Sequence, residues 1–118
     1  MVVQLPNHLR SNRKRLALLH EDVAFLLGAE TGESVCRHER FTREPSLAIA
    51  LGYEAIYQRP IRELFPGLYQ KMEGNVAALV KTLSDRTKMV AKNRQTDRKR
   101  QVLATIVERI ANQPSKNS

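Results

Sequence analysis

Residues 20–40 have the sequence HEDVAFLLGAETGESVCRHER, in which two helical patterns flank a short turn. Apolar residues recur at helical spacing from Val23, and the acidic pair Glu21-Asp22 suits the N-terminal turn of a helix. Gly28 then supplies a stop, because glycine adopts the positive φ that commonly ends a helix. After the turn, the sequence predicts a short helix from Ser34 to His38. The stretch therefore predicts two helices that lie close to each other in space.

The same periodicity extends to both sides of this stretch, and no turn pair between alternating apolar residues indicates a hairpin. Three further short helices are predicted. The first begins at Pro6 and runs through Leu9 to Leu16, and the second begins near Pro45 or Ser46 and ends at about Tyr57. The third spans Pro60–Phe65, and Pro66-Gly67 then ends the five-helix unit. Residues 1–66 thus form a predicted all-α domain of five helices.

The rest of the chain has a different pattern, with no proline between Pro66 and Pro114. A single apolar stripe predicts a long helix of roughly 20–25 residues. A shorter helix follows a polar break at 92–95. The stripe consists of Tyr69, Met72, Val76, Leu79, Leu83 and Val90, and the shorter helix carries Leu103, Ile106, Val107 and Ile110 on one face. We interpret 67–113 as a C-terminal helical extension and 114–118 as a flexible tail. The stripe is a predicted packing surface, either within one chain or between two subunits.

The chain has 118 residues, with 20 Lys+Arg against 12 Asp+Glu and a formal net charge of +8. Such a surplus indicates nucleic acid or an anionic membrane surface as a partner. Residues 1–65 hold nine basic and eight acidic side chains, whereas residues 66–118 hold eleven and four, so the surplus lies in the extension. The apolar runs are far shorter than the ~20 residues that cross a bilayer, and no secretory signal is recognisable. We expect a cytoplasmic protein without a membrane partner.

The sequence contains few residues that indicate a disulfide, a metal site or a catalytic site. Cys36 is the single cysteine, which excludes an internal disulfide and a cysteine-rich zinc site. His8, His20 and His38 are not spaced as metal ligands, so no metal and no cofactor are expected. The sequence shows no Ser/His/Asp arrangement, glycine-rich phosphate loop or paired catalytic carboxylates. We therefore expect a protein that is not an enzyme.

Two helices joined by a short turn in a small basic protein indicate a helix-turn-helix motif. The ordered residues Leu9-Arg10, Arg13, 18–28, 34–40 and 45–47 resemble the Xre-type, lambda-repressor-like helix-turn-helix family, and the resemblance covers about residues 5–66. It implies a five-helix fold in which the second and third helices form the motif. It also implies double-stranded DNA as the partner, a recognition helix around 31–38 in the major groove, and a homodimer that binds two half-sites.

The resemblance assigns candidate contacts. An arginine can grip guanine with two hydrogen bonds, and a glutamate can accept one from cytosine. The candidate base contacts are Thr31, Gly32, Glu33, Ser34 and Arg37, and the candidate phosphate contacts are His20, Arg40, Thr42 and Arg43. In the family, the residues that match Arg13 and Glu39 form a structural ion pair.

Several residues depart from the family pattern. Leu19 stands where a Ser or Thr usually caps the second helix, Phe41 where a small residue or glycine is usual, and His38 where an apolar or aromatic residue is common. The turn from Gly28 to Val35 is one residue longer than the common form.

The sequence leaves three functions open. The first is a sequence-specific DNA-binding transcriptional regulator, as the resemblance implies. The second is a protein-interaction module or antitoxin-like regulatory subunit that retains the helix-turn-helix scaffold and captures a protein partner through its C-terminal helices. The third is a nonspecific binder of nucleic acid or membrane surfaces, which would depend steeply on salt without discriminating between sequences.

Overall fold

A computed structural model of the chain describes residues 6–28, 30–90 and 92–112, and all regular structure within these ranges is helical. The prediction of an all-α chain is confirmed for this part of the sequence. The helices are α1 (Leu9–Arg15), α2 (His20–Leu27), α3 (Gly32–Arg40), α4 (Leu47–Tyr57), α5 (Ile61–Leu64), α6 (Pro66–Lys88) and α7 (Arg94–Ala111). The predicted tail at 114–118 lies outside the described residues.

The chain divides into two compact units, Met1–Tyr69 and Gln70–Ser118. Helix α6 begins in the first unit and runs without a break into the second. The domain boundary expected at residue 66 therefore stays a prediction, since no loop separates the two units there.

The signals that end α2 and begin α4 act as predicted. Gly28 has a φ of 93°, and its N–H donates to the carbonyl oxygens of Ala24 and Phe25. The Ser46 side chain accepts a hydrogen bond of 3.2 Å from the Ile49 N–H, which satisfies a free donor of the first turn of α4. The predicted end of α4 at Tyr57 is also confirmed.

Two proline positions differ from the prediction. Helix α1 begins at Leu9 rather than at Pro6, because Asn7 Oδ1 accepts the Leu9 N–H at 3.1 Å and so marks the start of the helix. Pro66 begins α6 instead of closing the preceding unit. Proline suits a first helical position because its missing N–H has no partner there.

The core of the first unit is built around α4, which turns Ala50, Tyr53 and Tyr57 inward. The Tyr53 and Tyr57 rings are stacked with their centroids 5.8 Å apart, and Phe65 lies at 6.4 Å from Tyr53. The core also contains the fully buried side chains of Leu9, Val23, Val35 and Leu64, so α1, α2, α3 and α5 each contribute to it.

His38 of α3 is buried in this core although it is polar. Its Nδ1 lies 2.8 Å from the Tyr53 hydroxyl, and the two rings meet edge to face. Burial lowers the pKa of His38, because removal from water disfavours the charged imidazolium; Arg43 adds to this and Glu30 opposes it. His38 therefore occupies this core position as an aromatic ring whose Nδ1 atom has a hydrogen-bonding partner, the Tyr53 hydroxyl.

The segment before α1 is anchored to the junction of α5 and α6. The His8 N–H donates to the Leu64 carbonyl at 2.8 Å, and the Gly67 N–H donates to the Pro6 carbonyl at 3.2 Å. A Cβ atom at Gly67 would lie 2.6 Å from Pro6 Cδ and 3.0 Å from the Pro6 backbone N and O. Glycine is required at this position because the two backbone segments approach so closely.

The second unit has few buried side chains and much exposed apolar surface. Among its described residues, Val80, Thr87 and Leu103 are buried, and the Thr87 hydroxyl donates to the Leu83 carbonyl at 2.8 Å. In contrast, the stripe predicted to be a packing surface is exposed at Met72, Val76, Leu79 and Val90. Of the helices in the described ranges, none is long and apolar enough to cross a bilayer.

Candidate nucleic-acid interface

Helix α3 is held against α2 by small and apolar side chains. Ala24 of α2 and Val35 of α3 are both buried in the core of the first unit. The Thr31 side chain accepts a hydrogen bond of 3.0 Å from the Ser34 N–H, so α3 begins at Gly32, two residues earlier than predicted. Because α3 also extends to Arg40, the helix is longer than the predicted span from Ser34 to His38.

The face of α3 opposite Val35 carries the predicted base-contacting side chains. Thr31, Glu33 and Arg37 are exposed, and Ser34 is half-buried. Arg37 Nη2 donates to Glu33 Oε1, so these two side chains, one turn apart, form an ion pair. An exposed pair of this kind stabilises a helix by only about 0.3–0.5 kcal/mol, so Arg37 can exchange Glu33 for another acceptor at little cost.

Gly32 differs from the other predicted base contacts because it is buried. A Cβ atom there would lie 2.0 Å from Oε1 of Glu21, so the carboxylate of α2 lies directly against this glycine. The structure therefore brings Thr31, Glu33, Ser34 and Arg37 to one accessible face and leaves Gly32 beneath Glu21.

An ion-pair network ties α3 to the two helices before it. Arg13 Nε donates to Glu39 Oε2 at 2.6 Å and Arg13 Nη1 to the Leu18 carbonyl at 3.0 Å, so the pair implied by the family resemblance is present. The hydrogen bond to Glu39 raises the pKa of Arg13, against the opposing effect of burial. The Glu39 side chain is only 5% exposed, which makes this pair part of the interior.

His20 also joins this network, which the sequence did not predict. Its Nε2 atom lies 3.1 Å from Glu39 Oε1, while its ring stays partly exposed at the start of α2. The predicted phosphate contact is therefore already in contact with a carboxylate in the free chain. No sequence spacing links positions 20 and 39; only the packing of α2 against α3 brings them together.

The turn after α3 carries the other predicted phosphate contacts. Arg40, Thr42 and Arg43 are all exposed, and the Thr42 hydroxyl donates to the Arg37 carbonyl at 3.3 Å. Within the described residues, neither Arg40 nor Arg43 has a carboxylate oxygen within 4 Å. Both guanidinium groups are thus available to an anion.

Phe41 is the residue at which α3 ends and this turn begins. It adopts the left-handed conformation with a φ of 54°, which costs a non-glycine residue about 1–2 kcal/mol. Its ring packs on the core, 6.4 Å from that of Phe65, and this burial offsets the cost. The departure from glycine at this position therefore has a physical explanation.

The start of α2 lacks a side-chain cap, as expected for Leu19. The Asp22 carboxylate compensates in part, because its Oδ2 accepts the Leu19 N–H at 2.8 Å.

In the described part of the chain, no three His, Cys, Asp or Glu side chains are grouped so as to hold a metal ion. Comparison of the chain with protein-family models, with curated proteins and with solved structures gave no match.

Proposed function

We propose that this chain is a sequence-specific DNA-binding transcriptional regulator of the Xre type, with a lambda-repressor-like arrangement of α1 to α5. In this proposal α2 and α3 form the helix-turn-helix, and α3 enters the major groove of double-stranded DNA. The observation that carries the proposal is the two-sided nature of α3. One side is fixed by Val35, His38 and the Arg13–Glu39 pair, and the other presents Arg37 to solvent.

The roles of the side chains follow from their chemistry. Arg37 reads a guanine through a bidentate pair, and Glu33 accepts a hydrogen bond from a cytosine or disfavours other bases. Arg40 and Arg43, which have no carboxylate partner among the described residues, bind phosphates beside the groove. Thr42 and His20 donate to the same DNA backbone, where Thr42 exchanges its hydrogen bond to the Arg37 carbonyl, and His20 its contact with Glu39, for a phosphate oxygen.

Selection of bound duplexes from a random-sequence pool tests this proposal. The full chain is expected to enrich one defined sequence, arranged as two half-sites about 34–36 Å apart if the protein is a homodimer. A pool that remains random after repeated selection, although the protein binds it, would contradict sequence-specific recognition.

A second candidate function is a protein-interaction module or antitoxin-like regulatory subunit. It is favoured by the exposed apolar side chains Met72, Val76 and Leu79, which are spaced to lie on one side of α6. In the first candidate this face forms the homodimer; in the second it binds another protein. A purified chain that sediments as a monomer at micromolar concentration and binds a stoichiometric protein partner would favour the second.

A further inference from the structure

Five cations surround the junction between α6 and α7, and we call them the basic cluster: Arg86, Lys88, Lys92, Arg94 and Arg98. All five side chains are exposed. Three of them line one shallow depression of the second unit, whose walls are Lys92, Asn93, Arg94, Asp97, Arg98 and Gln101. The sequence shows the five charges, but it does not show that Lys92, Arg94 and Arg98 line the same depression.

The positive charge of the basic cluster exceeds the negative charge around it, since Asp97 is the one acidic residue in the wall of the depression that Lys92, Arg94 and Arg98 share. Lys88 Nζ lies 3.9 Å from Asp85 Oδ1, a pair in which both side chains are exposed. In residues 6–28, 30–90 and 92–112, no carboxylate oxygen lies within 4 Å of Lys92, Arg94 or Arg98. Like charges at this spacing repel each other, so the free chain gains nothing from holding them together.

The stability of α7 does not explain these cations either. Asn93 Oδ1 accepts the Thr96 N–H at 2.9 Å, and Thr96 Oγ1 accepts the Asn93 N–H at 2.9 Å, so the helix start is capped on both sides. A cation in the first turn of a helix, such as Arg94, interacts unfavourably with the helix dipole. An external anion would remove this cost.

The composition of the second unit indicates which anion fits. Residues 70–118 contain no Phe, Tyr, Trp or His. Without aromatic rings this surface lacks the side chains on which the bases of a single strand stack best, and it also lacks the aromatic anchors that are common at the level of lipid headgroups. Duplex DNA suits a surface that relies on charge alone, because it presents one negative charge per ~1.7 Å of its axis.

We propose that the basic cluster binds the phosphate backbone of duplex DNA without reading its sequence. This inference deepens the proposed function and rests on it for the choice of duplex DNA as the partner. In this proposal α3 discriminates between DNA sequences, and the basic cluster contributes affinity that depends on the salt concentration.

The test compares the full chain with two triple variants that lose the same charge. One variant carries Lys92→Gln, Arg94→Gln and Arg98→Gln in the depression. The control carries Arg59→Gln, Arg62→Gln and Lys71→Gln, at exposed cations outside the basic cluster. Binding to a random-sequence duplex is measured by fluorescence anisotropy as a function of KCl concentration, and circular dichroism checks that each variant is folded.

The slope of log affinity against log salt is expected to flatten by about 2–3 in the depression variant and to change little in the control, since each phosphate contact contributes ~0.9. The charge-retaining variant Lys92→Arg, Arg94→Lys, Arg98→Lys should keep the slope of the unsubstituted chain. Equal changes in the depression and control variants would overturn the proposal. Tighter binding to a single strand, or to phosphatidylserine vesicles at equal phosphate concentration, would also overturn it.

The same measurements separate this inference from the proposed function. The preference for a selected duplex over a random one should survive in the depression variant, because α3 is unchanged. A chain that shows no sequence preference but loses its salt slope in that variant would contradict the proposed function and support the inference.

Discussion

At the scale of single residues, Glu39 connects three helices. Its carboxylate contacts Arg13 of α1 and His20 of α2 while it belongs to α3 itself. Since α3 carries the candidate base contacts, the geometry of this one buried carboxylate orients the helix that is proposed to enter the groove.

Glu39→Gln is therefore expected to destabilise the fold by about 3–5 kcal/mol, because it leaves the Arg13 guanidinium buried without its counter-charge. Urea unfolding of the free protein measures this loss. Glu63→Gln, at an exposed carboxylate of α5, is the matched control and should change the stability by less than ~0.5 kcal/mol. Equal midpoints for the two variants would show that the Arg13–Glu39 pair does not contribute as described.

We expect His38 to make the free energy of unfolding depend on pH. Its pKa in the folded chain lies below the ordinary value of 6.5, so the unfolded chain binds the proton more readily. The stabilising contribution is complete above pH ~6.5 and decreases as the pH falls below that value towards the folded pKa.

His38→Phe should lower the stability at neutral pH, because the Tyr53 hydroxyl loses its partner, but it should flatten the decline in unfolding free energy between pH 7 and 5. Denaturation at several pH values measures this slope. His8→Gln, at an exposed histidine, should leave the slope as it is in the unsubstituted chain. A variant at His38 that retains the full decline would exclude this residue as its source.

Residue contacts were only partly accessible from the sequence. The Arg13–Glu39 pair followed from the family resemblance, but neither the third partner His20 nor the cover of Glu21 over Gly32 did. Both depend on how closely α2 and α3 approach, and that distance is a property of packing rather than of spacing along the chain.

At the scale of elements, the sequence predicted helix ends best where a single residue satisfies a local requirement. Gly28 provides a positive φ and Ser46 a hydrogen-bond acceptor, so both ends were predictable. Pro6 and Pro66 were misassigned because proline is compatible with positions before a helix as well as at its first residue. In the structure the Asn7 side chain accepts the Leu9 N–H and so marks the start of α1, while the Pro6 carbonyl accepts the Gly67 N–H.

That contact gives a prediction within one helix, α6. Gly67→Ala should destabilise the chain by about 1–3 kcal/mol, because the new methyl group would lie 2.6 Å from Pro6 Cδ and 3.0 Å from the Pro6 backbone N and O. Gly74→Ala is the control: a Cβ atom there meets nothing within 4 Å, so helix propensity should stabilise the chain by up to ~1 kcal/mol. Urea unfolding of both variants measures the two effects, and the same sign for both would contradict the close approach at Gly67.

At the scale of the whole molecule, charge and apolar surface are distributed unequally. Residues 70–118 hold eleven basic and four acidic side chains, while residues 1–69 hold nine and eight. The overall charge of +8 therefore says little about α3, whose function depends on where Arg37, Arg40 and Arg43 lie. The exposed apolar side chains of α6 form a separate surface, which is the candidate homodimer contact.

We expect Leu79→Glu to weaken a homodimer about tenfold or more, because burying a leucine side chain at an interface contributes ~1.5–3 kcal/mol. Leu79 is 68% exposed in the single chain, so the substitution should leave the monomer folded. Sedimentation equilibrium measures the change, with Ala78→Glu at the adjacent exposed position as the control. Identical dissociation constants for the two variants would exclude this face of α6 from the dimer.

The central claim is that α3 reads DNA sequence through Arg37, and the ratio of affinities for a selected and a random duplex tests it most directly. We predict that Arg37→Ala lowers this ratio by about 5- to 150-fold, which corresponds to the loss of one bidentate pair worth ~1–3 kcal/mol. Arg62→Ala, which removes an equal charge from the exposed side of α5, should leave the ratio unchanged. A ratio that is the same for Arg37→Ala and for the unsubstituted chain would contradict the claim.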